Sequence, residues 1–222
     1  MKVVAYSLWG DNPKYTVGAL RNAELVKKMY PGWEARFYVG QSVPKDILSS
    51  LRDREANVVE MSEPGDWRGM FWRFEPAGDV DVEVMLSRDC DSRISQREVV
   101  AVDQWLSSSA MFHIMRDHPW HCAPILGGMW GVKAPLLRNI RELMSQFTKG
   151  NFWQVDQNFL KLLYPHIAQH TMVHDEFFEK KPWPLYRNGL EFVGQVFDEN
   201  EVTVQEHLDV LVSYLRLSGE LI

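Results

Sequence analysis

Strand-type and helix-type segments alternate along the first sixty residues of this 222-residue chain. Residues 3–7, 34–39 and 57–61 are short apolar stretches typical of strands, and residues 15–29 and 44–54 carry apolar side chains at helical spacing. The order strand, helix, strand, helix, strand is typical of an α/β protein with a largely parallel sheet. Ligands of such sheets bind beyond the carboxyl ends of the strands, so the loops that follow the strands are where a site is expected.

The rest of the chain continues the mixed pattern. A fourth strand is predicted over residues 80–87, and a capping box formed by Ser95 and Glu98 predicts a helix that includes residues 99–106. Further strands are predicted at 112–115, 170–177 and 192–197, and further helices at 70–76, 135–148, 156–164 and 202–217. No repeat or linker interrupts these segments, so we expect a single domain over residues 1–222.

Composition narrows the class of protein. Hydrophobic residues make up 45% of the chain and charged residues 24%, which is enough for a sizeable core and excludes a disordered chain. The net charge of −6 argues against a nucleic-acid binder, which carries a basic face. Cys90 and Cys122 lie outside any Cys-x-x-Cys spacing, which argues against a zinc site. No apolar run has the length of a membrane span or signal peptide, so we expect a soluble, cytoplasmic protein.

Two aspartates, Asp89 and Asp91, follow the predicted fourth strand at the position where a ligand is expected. Two carboxylates this close repel each other unless cations are near them. One interpretation is that the neighbouring Arg88 and Arg93 pair with them in a solvated loop. The other is that the carboxylates hold a divalent cation such as Mg²⁺ or Mn²⁺, which prefers oxygen ligands and often shares them with a phosphate group.

The segment LSRDCDSR at residues 86–93 resembles the Asp-x-Asp motif of GT-A fold glycosyltransferases. The segments FWRFEP at 71–76, GGMWGVK at 127–133 and VDQNFL at 155–160 also fit this resemblance. The chain is similar over nearly its full length to small, single-domain sugar transferases, among them capsid-glycosylating domains of large algal viruses and bacterial relatives. The resemblance implies a GT-A fold, which is a mixed but mostly parallel sheet flanked by helices.

The resemblance also implies how the aspartates act. In such enzymes the Asp-x-Asp motif holds Mn²⁺ or Mg²⁺, which bridges the diphosphate of a nucleotide sugar and stabilises the leaving group. By position in the motif, Asp91 binds the metal most directly, and Asp89 contacts the metal, the ribose or the sugar. His174 is a candidate third ligand, because some of these families use a late histidine. A lone histidine is, however, more often structural.

Further candidate residues lie in the other segments that border such a site. The turn after the first strand borders the nucleoside, although a purely structural turn is a nearly equal alternative. The glycine-rich segment borders the donor sugar, or is a bulge or a site of tight packing. Asp156 is the candidate general base, or an N-cap, and Gln157 a candidate ligand of the sugar hydroxyls. The remaining candidates for substrate binding are Ser7, Leu8, Trp9, Tyr15, Arg73, Arg88, Gly127, Gly128, Trp130 and Arg187.

The sequence therefore predicts a metal-dependent transferase. It moves a hexose from a nucleoside-diphosphate sugar, with UDP as the expected nucleotide, to a glycan or another hydroxyl acceptor. A nucleotidyltransferase is the nearest alternative, but it needs a glycine-rich, basic loop near the first strand. A non-catalytic nucleotide-sugar-binding protein is the second alternative. The histidines at 113, 118 and 121 do not match a zinc-binding spacing, and we expect them in loop and core.

Overall fold

A computed structural model describes residues 1–147 and 150–219. Within these residues, strands in the order β3-β2-β1-β4-β6-β5-β7 form one seven-stranded sheet. The strands are β1 (Lys2–Leu8), β2 (Glu34–Val39), β3 (Asn57–Glu60), β4 (Val84–Ser87), β5 (Phe112–Arg116), β6 (Trp130–Lys133) and β7 (Thr171–Asp175). The predicted mixed α/β sheet is confirmed.

The sheet is parallel except at one strand. β1 pairs in parallel with β2 and β4, β2 with β3, and β5 with β7. Only β6 runs the other way among the described strands, between β4 and β5. The carboxyl ends of the other six strands therefore meet at one edge of the sheet, and the loops after β1 and β4 lie side by side there.

Helices flank the sheet on both faces. They are α1 (Pro13–Met29), α2 (Lys45–Asp53), α3 (Gln96–Leu106), α4 (Ile140–Gln146), α5 (Val155–Ile167) and α6 (Gln205–Leu217), with 3-10 segments at Trp67–Gly78, Ala134–Leu137 and Ala168–His170. The predicted helix at 135–148 is divided between the second 3-10 segment and α4, and its last residue lies outside the described residues. Among the residues that the structure describes, no helix is long and apolar enough to cross a membrane.

Side chains of β1 alternate between two cores, because successive residues of a strand point to opposite faces. Val3 and Ala5 pack in the core that contains Phe74 and Trp130. Val4, Tyr6 and Leu8 pack in the opposite core, with Phe37, Trp105 and the buried side of α1. The strand is buried on both faces, which explains its continuous apolar sequence.

Two predicted strands differ from the structure. β4 begins at Val84 and not at residue 80, because residues 79–82 form a turn in which the Val82 amide donates to the Asp79 carbonyl. The segment 192–197 is a loop and forms only single bridges at Val196 and Phe197. Its apolar residue Phe192 is buried against α6, which gives the segment a strand-like pattern without strand pairing.

Candidate functional site

The loop that carries Asp89 and Asp91 is held from behind by helix α1. The side-chain amide of Asn22 donates to the main-chain carbonyls of Cys90 at 3.1 Å and Ser92 at 2.9 Å. Gly18 lies so close that a Cβ there would overlap the Cys90 carbonyl. The backbone between the two aspartates is therefore fixed by contacts with a helix far away in sequence.

The two aspartates have different cationic partners. The Lys14 ammonium lies 2.8 Å from Oδ2 of Asp91, and the Arg73 guanidinium pairs with Oδ1 of Asp89. Burial raises the pKa of the Asp91 carboxyl, the charge of Asp89 raises it further, and Lys14 opposes both effects. The Asp91 side chain is 15% exposed and that of Asp89 45%, so the pair faces solvent mainly through Asp89.

The arginines next to the motif do not pair with it, and this interpretation of the sequence is wrong. Arg88 is buried, donates to Glu98 at 2.8 Å, and is therefore not placed to bind a donor as predicted. Arg93 pairs with Glu201 at 2.6 Å. Both side chains point away from the carboxylates because their partners come from α3 and from the segment before α6.

Arg73 connects three segments of the site. It lies in the 3-10 segment Trp67–Gly78, and its backbone amide donates to the Ser7 hydroxyl at 3.0 Å. Its guanidinium bridges Asp89 and Asp156, with an Nη2–Oδ2 distance of 2.7 Å to Asp156. Arg73 is therefore at the centre of the predicted site, as a link between its carboxylates.

Asp156 is enclosed at the start of α5. Its side chain is 2% exposed, Oδ2 accepts from Arg73, and Oδ1 accepts from the Gln157 amide at 2.8 Å. Burial raises the pKa of the Asp156 carboxyl, and Arg73 acts in the opposite direction. This carboxylate orients Arg73, and both its oxygens are already engaged.

Gly127 and Gly128 lie directly against the carboxylates. A Cβ at Gly127 would overlap the Asp156 carboxylate, and one at Gly128 would overlap that of Asp89. Of the interpretations that the sequence allowed for this segment, the structure shows tight packing. Trp130 does not line the site as predicted: it is 0% exposed and packs between Phe74 and Phe112 in the core.

The turn after β1 contributes some of its predicted residues. Leu8 is part of the core and is not available to a ligand. Trp9 packs on Gly65 and lies edge-on to Trp72, with ring centroids 6.3 Å apart. Tyr15 is exposed, and the Lys14 ammonium lies 5.2 Å from its ring centroid. Trp9 and Tyr15 therefore lie at least partly at the surface, whereas Leu8 does not.

His174 and Arg187 have structural partners, which contradicts their predicted roles. The ring nitrogens of His174 are engaged by His113 at 2.7 Å and by the Gln104 side chain at 2.8 Å. No lone pair of His174 is therefore directed at the aspartates. Arg187 pairs with the buried Asp117 at 2.8 Å, so its charge is already balanced within the fold.

The sequence analysis missed Lys14, which contacts Asp91, and His207, which lies near this pair. His207 on α6 lies close enough to both Lys14 and Asp91 for their charges to act on its pKa, although burial is the largest effect and lowers that pKa. Its ring also packs on His118 and Trp120, with centroids 5.7 Å and 5.2 Å away. Nothing in the local sequence distinguishes His207 from the other histidines, because its place depends on the docking of α6.

The donor set fits a hard divalent cation only in part. Asp89 and Asp91 supply carboxylate oxygens, and the lack of a side chain at Gly128 lets the Asp89 carboxylate lie against the backbone there. In the described part of the chain, no group of three or more His, Cys, Asp or Glu side chains is placed to hold a metal ion. Two carboxylates suit Mg²⁺ or Mn²⁺ when water and phosphate oxygens complete the coordination shell.

Comparison with known proteins places this site in a known type of fold. No protein-family model and no curated protein sequence matches the chain. A glycosyltransferase involved in the glycosylation of the major capsid of PBCV-1 matches with a TM-score of 0.50 and 18% identity, over 80% of this chain and 82% of its own.

Two further solved structures show the same similarity. Glucosyl-3-phosphoglycerate synthase from Mycobacterium tuberculosis, in complex with Mn²⁺, UDP-glucose and glycerol 3-phosphate, matches with a TM-score of 0.52 and 10% identity over 78% of this chain and 69% of its own. The 4-diphosphocytidyl-2C-methyl-D-erythritol synthase from Anaerococcus prevotii matches with a TM-score of 0.54 and 9% identity over 97% and 98%. At these identities the likeness is one of fold. The chain has the GT-A fold and resembles the viral and bacterial glycosyltransferases that share it.

Proposed function

We propose that this protein is a metal-dependent glycosyltransferase that moves a hexose from a UDP-sugar to a hydroxyl acceptor. The observation that carries the proposal is the placement of Asp89 and Asp91 on one loop beyond β4, with Gly128 packed against the first of them. In a sheet of this topology that loop borders the ligand cleft. Two neighbouring carboxylates, one of them 45% exposed, suit a cation–diphosphate complex.

The cofactor and nucleotide follow from the same argument. The mycobacterial synthase was crystallised with Mn²⁺ and UDP-glucose, and with Mg²⁺ and UDP. We assign Asp89 and Asp91 of this chain to such a cation. His174 is not the third ligand, and among the described residues no further His, Cys, Asp or Glu is placed to join the two aspartates, so water and diphosphate oxygens would complete the coordination shell. When bound, the cation supplies positive charge to the departing diphosphate.

The residues of the chain then have distinct roles. Arg73 orients Asp89, and Asp156 in turn holds Arg73, which is why we give Asp156 a positioning role in place of the predicted general base. Gly127 and Gly128 let the Asp156 and Asp89 carboxylates pack against the backbone, which fixes where those carboxylates lie. In the transfer, the acceptor hydroxyl oxygen bonds to the anomeric carbon, the bond from that carbon to the diphosphate breaks, and the hydroxyl proton passes to solvent water.

A nucleotidyltransferase is the second candidate function. The synthase from Anaerococcus prevotii matches nearly the whole length of this chain, with 97% and 98% coverage, which supports this alternative at the level of fold. The turn at residues 8–15 argues against it, because it holds one glycine and one lysine where such an enzyme needs a glycine-rich, basic loop. A binding protein without catalysis is the third candidate and needs no metal.

Calorimetry of UDP and UDP-glucose tests the proposal. We expect binding in Mn²⁺ that is lost in EDTA and in Asp91→Asn. The matched control is Asp103→Asn, which changes an exposed aspartate on α3 and should bind as wild type does. UDP binding that survives both EDTA and Asp91→Asn would overturn the metal site and favour the binding protein. Release of pyrophosphate from CTP in the presence of a phosphorylated alcohol would favour the nucleotidyltransferase.

A further inference from the structure

Lys14 occupies the position next to Asp91 where a cation is expected. It is the second residue of α1, and its backbone amide donates to the Asn12 side chain at 3.0 Å, which fixes the start of the helix. The ammonium lies 2.8 Å from Oδ2 of Asp91, with Lys14 29% exposed and Asp91 15% exposed. The pair is therefore half-buried, where two charges interact more strongly than in open water.

Among the described residues, the Lys14 ammonium has one carboxylate within ion-pair distance. That contact is Asp91, and Tyr15, Asp89 and His207 are the other titratable groups near the ammonium. A divalent cation held by Asp91 would draw on the same carboxylate charge that the lysine now contacts through Oδ2. Metal and ammonium therefore compete for the single negative charge of this carboxylate, whichever of its two oxygens each of them contacts.

We propose that Lys14 is the built-in counter-ion of Asp91: it competes with the divalent cation for this carboxylate and, when displaced, binds the diphosphate of the donor. The inference rests on the proposed function, since it assumes a metal at Asp91. Lysine suits such an exchange because its ammonium is a compact charge on a flexible stem and a common phosphate ligand. The result is a site that keeps low affinity for free metal and takes up metal and nucleotide together.

The inference predicts effects of opposite sign in one variant. Lys14→Met removes the charge and keeps the length of the stem. It should bind Mn²⁺ alone about tenfold more tightly than wild type, which is about 1.4 kcal/mol. With Mn²⁺ saturating, the same variant should bind UDP about tenfold more weakly, because the freed ammonium is missing. If the role of Lys14 were purely structural, its substitution would weaken the binding of both Mn²⁺ and UDP.

Calorimetry of Mn²⁺ without nucleotide, and of UDP at saturating Mn²⁺, measures both effects. Lys14→Arg keeps the charge and should stay within about threefold of wild type for Mn²⁺, below 1 kcal/mol. Lys27→Met is the matched control: Lys27 lies on the same helix and pairs with Glu55 at the same distance of 2.8 Å. It should change neither affinity. Thermal unfolding in EDTA checks that every variant is folded.

The outcomes separate this inference from the function on which it rests. If wild type binds Mn²⁺ and Asp91→Asn does not, but Lys14→Met binds it no more tightly than wild type, the counter-ion role is overturned and the metal site stands. If wild type fails to bind Mn²⁺ with or without UDP, both are overturned. If Lys14→Met gains Mn²⁺ affinity but keeps its UDP affinity, the competition stands and the phosphate contact is overturned.

Discussion

The side-chain amide of Asn22 donates a 3.1 Å hydrogen bond to the carbonyl of Cys90, the residue between the two aspartates. It also donates to Ser92, and Arg93 supplies the other hydrogen bonds to these two carbonyls. We expect Asn22→Ala to lower the free energy of unfolding by about 2 kcal/mol, since two buried hydrogen bonds are lost. Urea unfolding measures this loss, and calorimetry should show weaker metal-dependent UDP binding.

Asn158→Ala is the control for this variant. Asn158 is exposed on α5, so its substitution should change the free energy of unfolding by less than about 0.5 kcal/mol. An Asn22→Ala protein that is as stable as the control and binds UDP as wild type does would show that α1 does not hold the loop.

A methyl group at Gly128 should disable the site without unfolding the protein. The added Cβ would overlap the Asp89 carboxylate and lie 2.9 Å from its backbone nitrogen, so the carboxylate must move. We expect Gly128→Ala to lose metal-dependent UDP affinity by at least about tenfold, or about 1.4 kcal/mol. In Gly78→Ala the new methyl would meet its neighbours at 3.4 Å or more, which is ordinary contact. Equal affinity in the two variants would contradict this geometry.

Removal of the Arg73 guanidinium alone should cost more stability than removal of the guanidinium together with the charge of Asp156. Arg73→Met leaves Asp156 buried without its cation, and we expect a loss of about 3 kcal/mol in the free energy of unfolding. Arg73→Met combined with Asp156→Asn should recover part of this loss, because a neutral amide is less costly to bury than a carboxylate. Urea unfolding of both variants at pH 7.5 measures these free energies. A double variant no more stable than Arg73→Met would refute the prediction that Arg73 balances the buried charge of Asp156.

The buried histidine pair predicts a loss of stability in acid. Gln104 accepts from Nε2 of His174, so Nδ1 of His174 accepts from His113 and both rings are neutral. Burial lowers the pKa of His174 to about 4, and burial followed by the charges of His174 and Arg88 lowers the pKa of His113 well below its usual value. Since unfolded histidine titrates near pH 6.5, the unfolded state binds more protons below that pH.

The stability that comes from keeping His174 neutral in the folded state is therefore complete above pH 6.5. It is lost as the pH falls toward 4. Because of His174, we expect the free energy of unfolding to be about 2 kcal/mol lower at pH 5 than at pH 7.5. His174→Gln keeps a polar side chain without this titration, and its free energy of unfolding should fall less between the two pH values. His166→Gln, at an exposed position on α5, should follow wild type. Parallel curves for wild type and His174→Gln would contradict the prediction.

Most of the fold was predictable because its elements carry strong local patterns. β1 and β2 match their predicted ranges within one or two residues, and α1 ends before the Tyr30-Pro31-Gly32 break. The segment at 192–197 was assigned wrongly because its apolar residues pack against α6 without pairing as a strand. Burial alone gives the same sequence pattern for a loop and a short strand.

The place of the two aspartates in the fold was predictable, but their contacts were not. The rule that ligands bind beyond parallel strands placed Asp89 and Asp91 correctly at the carboxyl edge of the sheet. Their cationic partners, Arg73 and Lys14, come from distant segments, whereas the neighbouring Arg88 serves the core. Adjacency in sequence says little about such pairs, because consecutive side chains at a strand end point in different directions.

The link between Asn22 and the aspartate loop also bears on how the protein reaches its active form. These hydrogen bonds join residues 68 and 70 positions apart, so the loop has its final shape only after distant parts of the chain have met. Contacts of such long range form slowly and late compared with local helices. Nucleotide binding during refolding should therefore appear with the last cooperative step, and a chain that has regained only its helices should not bind.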